Sequence, residues 1–204
     1  IKEKTFESTN FGVSLLYGGG FLTNNLQADY LKKSPAQMYF ADIVFNFSIP
    51  FKNDQYLRFD LGYSPNVYGI SVIDQQNGGF TDYAHVNTVY LKYGMSYGYK
   101  RFYAGVNFGI PVTQSIFNGE RIPGYAVDFL DYKPNNIFEV KAGYQHPLFN
   151  APAGNFILRV EACYNVNSLN EGVLQTGQIT LDNINVLSIK AGLNFTLNKG
   201  FGLR

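Results

Sequence analysis

The strongest constraint on this chain is a period of two. Eight stretches of about ten residues each alternate large apolar side chains with small, polar or charged ones, the pattern of a strand with two unlike faces. The segment from Tyr39 to Tyr63 shows it best. Tyr39, Ala41, Ile43, Phe45, Phe47, Ile49 and Phe51 share one face, then Leu57, Phe59, Leu61 and Tyr63. The intervening face carries Asp42, Asn46 and Ser48, then Arg58, Asp60 and Gly62. The turn cluster Lys52-Asn53-Asp54 lies between the two. The same alternation recurs from Phe11, Val89, Phe102, Phe138, Phe156 and Leu187 onward.

The connections alternate long and short. Leu22–Gln37, Pro65–His85, Pro111–Asn135 and Asn167–Asp182 read as long loops, with Tyr68–Ile73 either extending the third strand or forming a small hairpin above the membrane. Lys52–Asp54, Tyr99–Arg101 and His146–Gly154 read as short turns. Such wiring is that of an antiparallel up-and-down barrel with both termini on the short-turn side. Two barrels fit it: a soluble lipocalin-like one with the apolar face inside, or a membrane one with that face in lipid.

Volume and charge choose between them. An eight-stranded barrel has room inside for little beyond its own side chains. The chain carries 18 Phe and 16 Tyr, too much bulk for that lumen, while the opposite face is rich in Gly, Ser and Asn. Charged residues are only 15 %, against roughly 25 % in soluble domains. The sequence therefore predicts an all-β, eight-stranded antiparallel up-and-down transmembrane β-barrel, with four long extracellular loops and short periplasmic turns. Residues 1–204 form one domain, with 1–10 as a periplasmic lead-in. The expected location is the bacterial outer membrane, with the signal peptide removed and the termini in the periplasm. Outer-membrane lipid or lipopolysaccharide, and other outer-membrane proteins, are the expected partners. A net charge of +1 gives no footprint for nucleic acid.

This orientation sends Asp42, Arg58, Asp60, Lys92, Glu139, Lys141, Arg159, Glu161 and Lys190 into the lumen. Buried charge is tolerable only when paired and hydrogen-bonded. Five cations against four anions thus predict an ion-pair network that plugs the barrel rather than a pore, which would favour a ring of one sign. A second candidate site is the apolar third loop, with Ile122, Tyr125, Val127, Phe129, Leu130 and Tyr132; exposed apolar stretches mark interaction sites, and this one either caps the barrel mouth or docks on another protein.

Catalytic and metal chemistry find weaker support. His85 lies near the outer face beside Asp82 and Tyr83, but no motif pairs it with a serine. His146 reads as structural. Glu120, Asp128 and Asp131 could hold a calcium ion, but read more simply as a hydrophilic loop. Cys163 reads as lumen filler, and Gly18-Gly19-Gly20 as a relaxed piece of wall or a place where another chain approaches closely. No cofactor is expected, and the chain reads as a non-enzyme.

Three stretches carry a family resemblance: Phe11-Gly12-Val13-Ser14, Leu61-Gly62-Tyr63, and Ile189-Lys190-Ala191-Gly192-Leu193-Asn194-Phe195. With the alternation over nearly the whole chain, they resemble the PorT-like, small eight-stranded outer-membrane β-barrel family of Bacteroidota. That resemblance implies an accessory or structural subunit of a larger secretion, assembly or transport complex in the outer membrane. Alternatives are a lipid A-modifying enzyme, or a small pore or adhesin acting through its loops. Such barrels commonly end on an aromatic residue, whereas here Phe201 is followed by Gly202-Leu203-Arg204.

Overall fold

The computed structural model describes residues 10–23, 31–38, 40–51, 53–73, 80–119, 133–171 and 184–197. The strands are β1 (Asn10–Leu22), β2 (Leu31–Ser34), β3 (Ala36–Gln37), β4 (Asp42–Pro50), β5 (Gln55–Ile73) and β6 (Phe80–Tyr99). They continue as β7 (Phe102–Gly119), β8 (Lys133–Pro134), β9 (Ile137–Asn150), β10 (Gly154–Asn165), β11 (Asn170–Glu171) and β12 (Val186–Leu197). Eight of them, β1, β4, β5, β6, β7, β9, β10 and β12, pair antiparallel in chain order. The ring closes where β1 meets β12, in register from Gly12–Thr196 to Leu22–Val186.

The pairing register fixes the dimensions. Val13 faces Phe45, then Leu61, Tyr93, Phe108 and Phe138 on successive strands. Phe138 accepts a hydrogen bond from the backbone N–H of Val166. Two residues beyond the Tyr164–Leu187 pair, Val166 stands opposite Asn185, whose carbonyl accepts from Thr23 N. One circuit therefore starts at Val13 and returns to β1 at Thr23, ten residues further on. At ~3.3 Å per residue and ~4.8 Å between strands, this stagger sets a tilt of ~41° and a backbone radius of ~8 Å.

The faces sort as the alternation requires. Val13, Leu15, Phe45, Leu61, Tyr93 and Phe108 are exposed, while Ser14, Asp42, Asp60 and Lys92 are buried. Aromatic rows cross neighbouring strands on the outside. Phe11, Phe47 and Phe59 sit with ring centroids 4.9 and 6.4 Å apart, and Phe149, Phe156 and Phe195 with centroids 4.6 and 4.9 Å apart. At ~2.5 Å of axial rise per tilted residue, ten residues cover ~25 Å, the height of a membrane barrel's apolar band. An apolar belt of this height around a closed barrel belongs in lipid.

The strands outrun the sequence expectation. Pro65–His85 is largely strand, because β5 continues to Ile73 and β6 begins at Phe80. β7 runs through Pro111 to Gly119, and β9 through His146 and Pro147 to Asn150. The prolines explain the difference. Pro65 pairs with Val89 on β6, but on its other side β4 has already ended at the Ile43–Tyr63 pair and β2 begins only at Ser34–Gly69. Pro111 sits at a bulge, past the last β7–β9 pair at Gly109–Ile137. Pro147 lies at the bulge opposite Phe156 and Ile157, past the end of β7 at Phe102–Tyr144. Each proline lacks an N–H only where no neighbouring strand asks for one.

Near the other end, the wall between β1 and β5 is made by the broken strand β2–β3. Gln37 and Ala36 pair with Gly19 and Gly20 of β1, and Leu31–Ser34 pair with Gly69–Val72 of β5. Gly20 is buried against the backbone of β5, and a Cβ there would lie 1.8 Å from the Val67 carbonyl oxygen. The triplet thus lets β5 cross close to β1. At the short-turn end, Asn53 and Asp54 take φ of 64° and 60°, the left-handed pair that a tight hairpin turn needs.

Leu15, 53 % exposed near the middle of the belt, tests the orientation. Leu15→Arg is expected to destabilise the barrel by about 2–4 kcal/mol in urea unfolding from lipid vesicles. Gln37→Arg, near the interface, should cost about 0–1 kcal/mol.

Candidate functional site

The lumen holds the chain's densest chemistry. All nine residues expected inside are there, none more than 8 % exposed. They arrive on six strands, from Asp42 on β4 to Lys190 on β12, because each occupies the inward parity of its strand.

Towards the long-loop side the charges are matched one to one. Lys190 Nζ donates to Asp42 Oδ2 and to Ser64 Oγ, each at 2.8 Å, and Ser64 Oγ donates to Asp42 Oδ2 at 2.9 Å. Lys92 Nζ donates to Glu139 Oε1 at 2.8 Å. Asn66 and Asn107 amides complete the same carboxylate at 2.9 and 3.0 Å.

Towards the short-turn side the charges share. Asp60 Oδ1 accepts from Arg58 Nε at 2.8 Å, and Oδ2 from Lys141 Nζ at 2.6 Å and Arg159 Nη2 at 3.4 Å. Glu161 Oε2 accepts from Arg159 Nη2 at 2.5 Å and from Tyr103 Oη at 2.9 Å. Tyr103 Oη in turn accepts from Arg159 Nε at 2.8 Å. Its ring stacks against the guanidinium groups of Arg58 and Arg159, 5.3 and 5.4 Å from the centroid. That ring can lie flat across the lumen because Gly143 is beneath it, where a Cβ would come within 2.1 Å of it. Ser14, Asn46 and Asn194 tie the layer to β1, β4 and β12. Between the clusters is a polar cavity of about 20 Å³, lined among others by Asp42, Asp60, Lys141 and Lys190, enough for about one water.

A second layer closes the lumen above the charges, and sequence reasoning missed it. Leu16, Met38, Val67, Tyr68, Tyr90 and Ile137 are at most 1 % exposed, as are Leu169, Ile184 and Val186. Leu169 N donates to Ile184 O at 2.8 Å, and Asn135 N to Leu169 O at 2.8 Å. Asn170 Nδ2 donates to Tyr68 Oη at 3.2 Å, and Tyr90 Oη to Leu169 O at 3.4 Å. The signal was Leu16 and Tyr90, large residues on an otherwise small, polar face.

The remaining candidates separate. Ile122, Tyr125, Val127, Phe129, Leu130 and Tyr132 lie outside the described residues, as do Glu120, Asp128 and Asp131. Among the described residues, no cluster of His, Cys, Asp and Glu is suited to a metal ion. His85 sits on β6, ~15 Å beyond Leu91 along the barrel axis. It stands across Gly69 from Ser34, a serine the sequence did not pair with it. Partial burial lowers the His85 pKa and favours the neutral imidazole. Ser34 Oγ is buried and makes no hydrogen bond among the described residues, so the nucleophile–base contact of a hydrolase is not formed. His146 is in strand β9, not in a turn, with its Nδ1 3.3 Å from Tyr144 Oη. Cys163 is buried, and its Sγ donates to Glu161 Oε1 at 3.3 Å.

No family model matches the chain, and no curated protein matches it. Among solved structures it is similar to the outer membrane protein AlkL in lipid bilayers, at 13 % identity and a TM-score of 0.49, covering 100 % of this chain and 97 % of that one. It is also similar to the outer membrane protein OprG of Pseudomonas aeruginosa, at 11 % identity and a TM-score of 0.43, covering 95 % and 98 %. Ail, the attachment invasion locus protein of Yersinia pestis, is similar at 8 % identity and a TM-score of 0.39, covering 93 % and 99 %.

Asp60 accepts from three cations, so its loss should be severe. Asp60→Asn is expected to cost about 3–5 kcal/mol in urea unfolding, the penalty for stranding buried charge.

Proposed function

We propose that this chain is a non-enzymatic integral protein of the bacterial outer membrane, serving as an accessory or structural subunit of a larger secretion, assembly or transport complex. The observation that carries this reading is the doubly closed lumen. A charge-paired layer and an apolar layer are stacked in one barrel of ~8 Å backbone radius, which argues against passage through it. What remains for function is the outer wall and the surface beyond the membrane, where β5, β6 and β7 run past the ends of β4 and β9. An even number of antiparallel strands and short turns at one end suit the outer membrane. The resemblance to PorT-like barrels favours work within an assembly.

The rival reading is a lipid A-modifying enzyme using His85. The missing Ser34 hydrogen bond ranks it second. The two separate by experiment. Purified protein in planar bilayers should give no stepwise conductance. It should co-purify with defined outer-membrane partners in mild detergent, and a strictly solitary monomer would overturn the subunit reading. His85→Ala should leave the lipid A profile unchanged; a lost acyl modification would reinstate the enzyme.

A further inference from the structure

The lumen charges do not cancel locally. Asp42, Glu139, Lys92 and Lys190 balance two against two. The cluster nearer the short turns holds Arg58, Lys141 and Arg159 against only Asp60 and Glu161. One positive charge is left over, in a part of the lumen where burial makes it costly.

The hydrogen bonds locate that excess. Arg58 is 1 % exposed and spends Nε on Asp60. Its Nη1 and Nη2 are buried without a partner among the described residues. So are Tyr56 Oη and Ser96 Oγ. These groups are neighbours: Arg58 pairs with Ser96 across β5 and β6, and Tyr56 lies two residues along β5, with its ring over Gly98. A guanidinium fork and two hydroxyls, all able to donate, therefore stand together where the net charge is positive. A neutral water could accept from some of them, but would leave the charge uncancelled.

We infer that Arg58, Tyr56 and Ser96 form a binding site for a small monovalent anion of halide size at the short-turn end of the lumen. Arg58 supplies charge and two N–H groups, and the hydroxyls of Tyr56 and Ser96 complete the shell. A halide carries the single negative charge that the cluster lacks, whereas sulfate carries two. The anion would bring the lower cluster to three against three.

The test uses bromide, which scatters anomalously. Crystals of the intact protein grown in sodium bromide should show an anomalous peak within hydrogen-bonding distance of Arg58 Nη1 or Nη2, Tyr56 Oη and Ser96 Oγ. In detergent, the thermal midpoint should rise with sodium chloride or bromide relative to sodium gluconate at equal ionic strength. Arg58 variants also break the Asp60 pair, so Tyr56→Phe and Ser96→Ala are the informative changes. Each removes one donor to a charged acceptor and should weaken halide binding about tenfold. No anomalous peak there, a carboxylate of the chain itself in that position, or a halide effect equal in wild type and both variants would overturn the assignment.

Discussion

Every backbone N–H and C=O that meets lipid must find its partner inside the chain, and the rest of the structure depends on that requirement. The β1–β12 seam removes the last open edges of the sheet, over eleven paired residues from Gly12 to Leu22. Closure with a ten-residue stagger then sets the radius, and the radius sets which side chains go where. Bulky Phe, Tyr and Leu can face only outward around most of the ring. The inward positions must be small, or long and shared among several strands.

That narrowness makes the charges interdependent. Asp60 reaches cations on β5, β9 and β10, and Glu139 gathers donors from β5, β6 and β7. Each carboxylate joins strands that the backbone ladder does not pair directly. Tyr103 works likewise: its ring contacts two guanidinium groups while its hydroxyl links Arg159 to Glu161. The apolar layer above needs none of this, since Leu169 and Ile184 fill space without polar debts beyond their backbone groups.

What could be read from the sequence follows from which features are local. The lipid face and the nine lumen charges are visible because parity along one strand decides them. The length of β5, β7 and β9 is not visible, because Pro65, Pro111 and Pro147 read as breakers until the neighbour's end is known. Whether a proline breaks a strand depends on register, which belongs to two strands at once. The apolar plug is hidden for a similar reason. Leu169 and Ile184 stand in stretches without alternation, and only folding pairs them with each other and brings Leu169 to Tyr90. The Ser34–His85 juxtaposition across Gly69 also arises from pairing between β2, β5 and β6. The third-loop residues Ile122 to Tyr132 lie outside the described residues, so the geometry bears on the lumen and not on them.

A buried ion network is weak evidence of stability, since well-packed apolar groups can do as well. Its clearer use here is to fix register. A slip of one residue in β5 would turn Arg58 and Asp60 into the lipid and push Phe59 and Leu61 into the lumen. Near the bilayer midplane a single Arg or Lys costs about 2–4 kcal/mol, and the same slip would strand Lys141 and Arg159 without their shared carboxylate. Seven of the nine lumen charges lie on β5, β9, β10 or β12, so a one-residue slip of any of these strands carries this cost in addition to turning its apolar side chains inward. The charges penalise slipped registers far more than they reward the correct one. A barrel that keeps its lumen shut gains nothing in transport from such a network, but gains a single way to close.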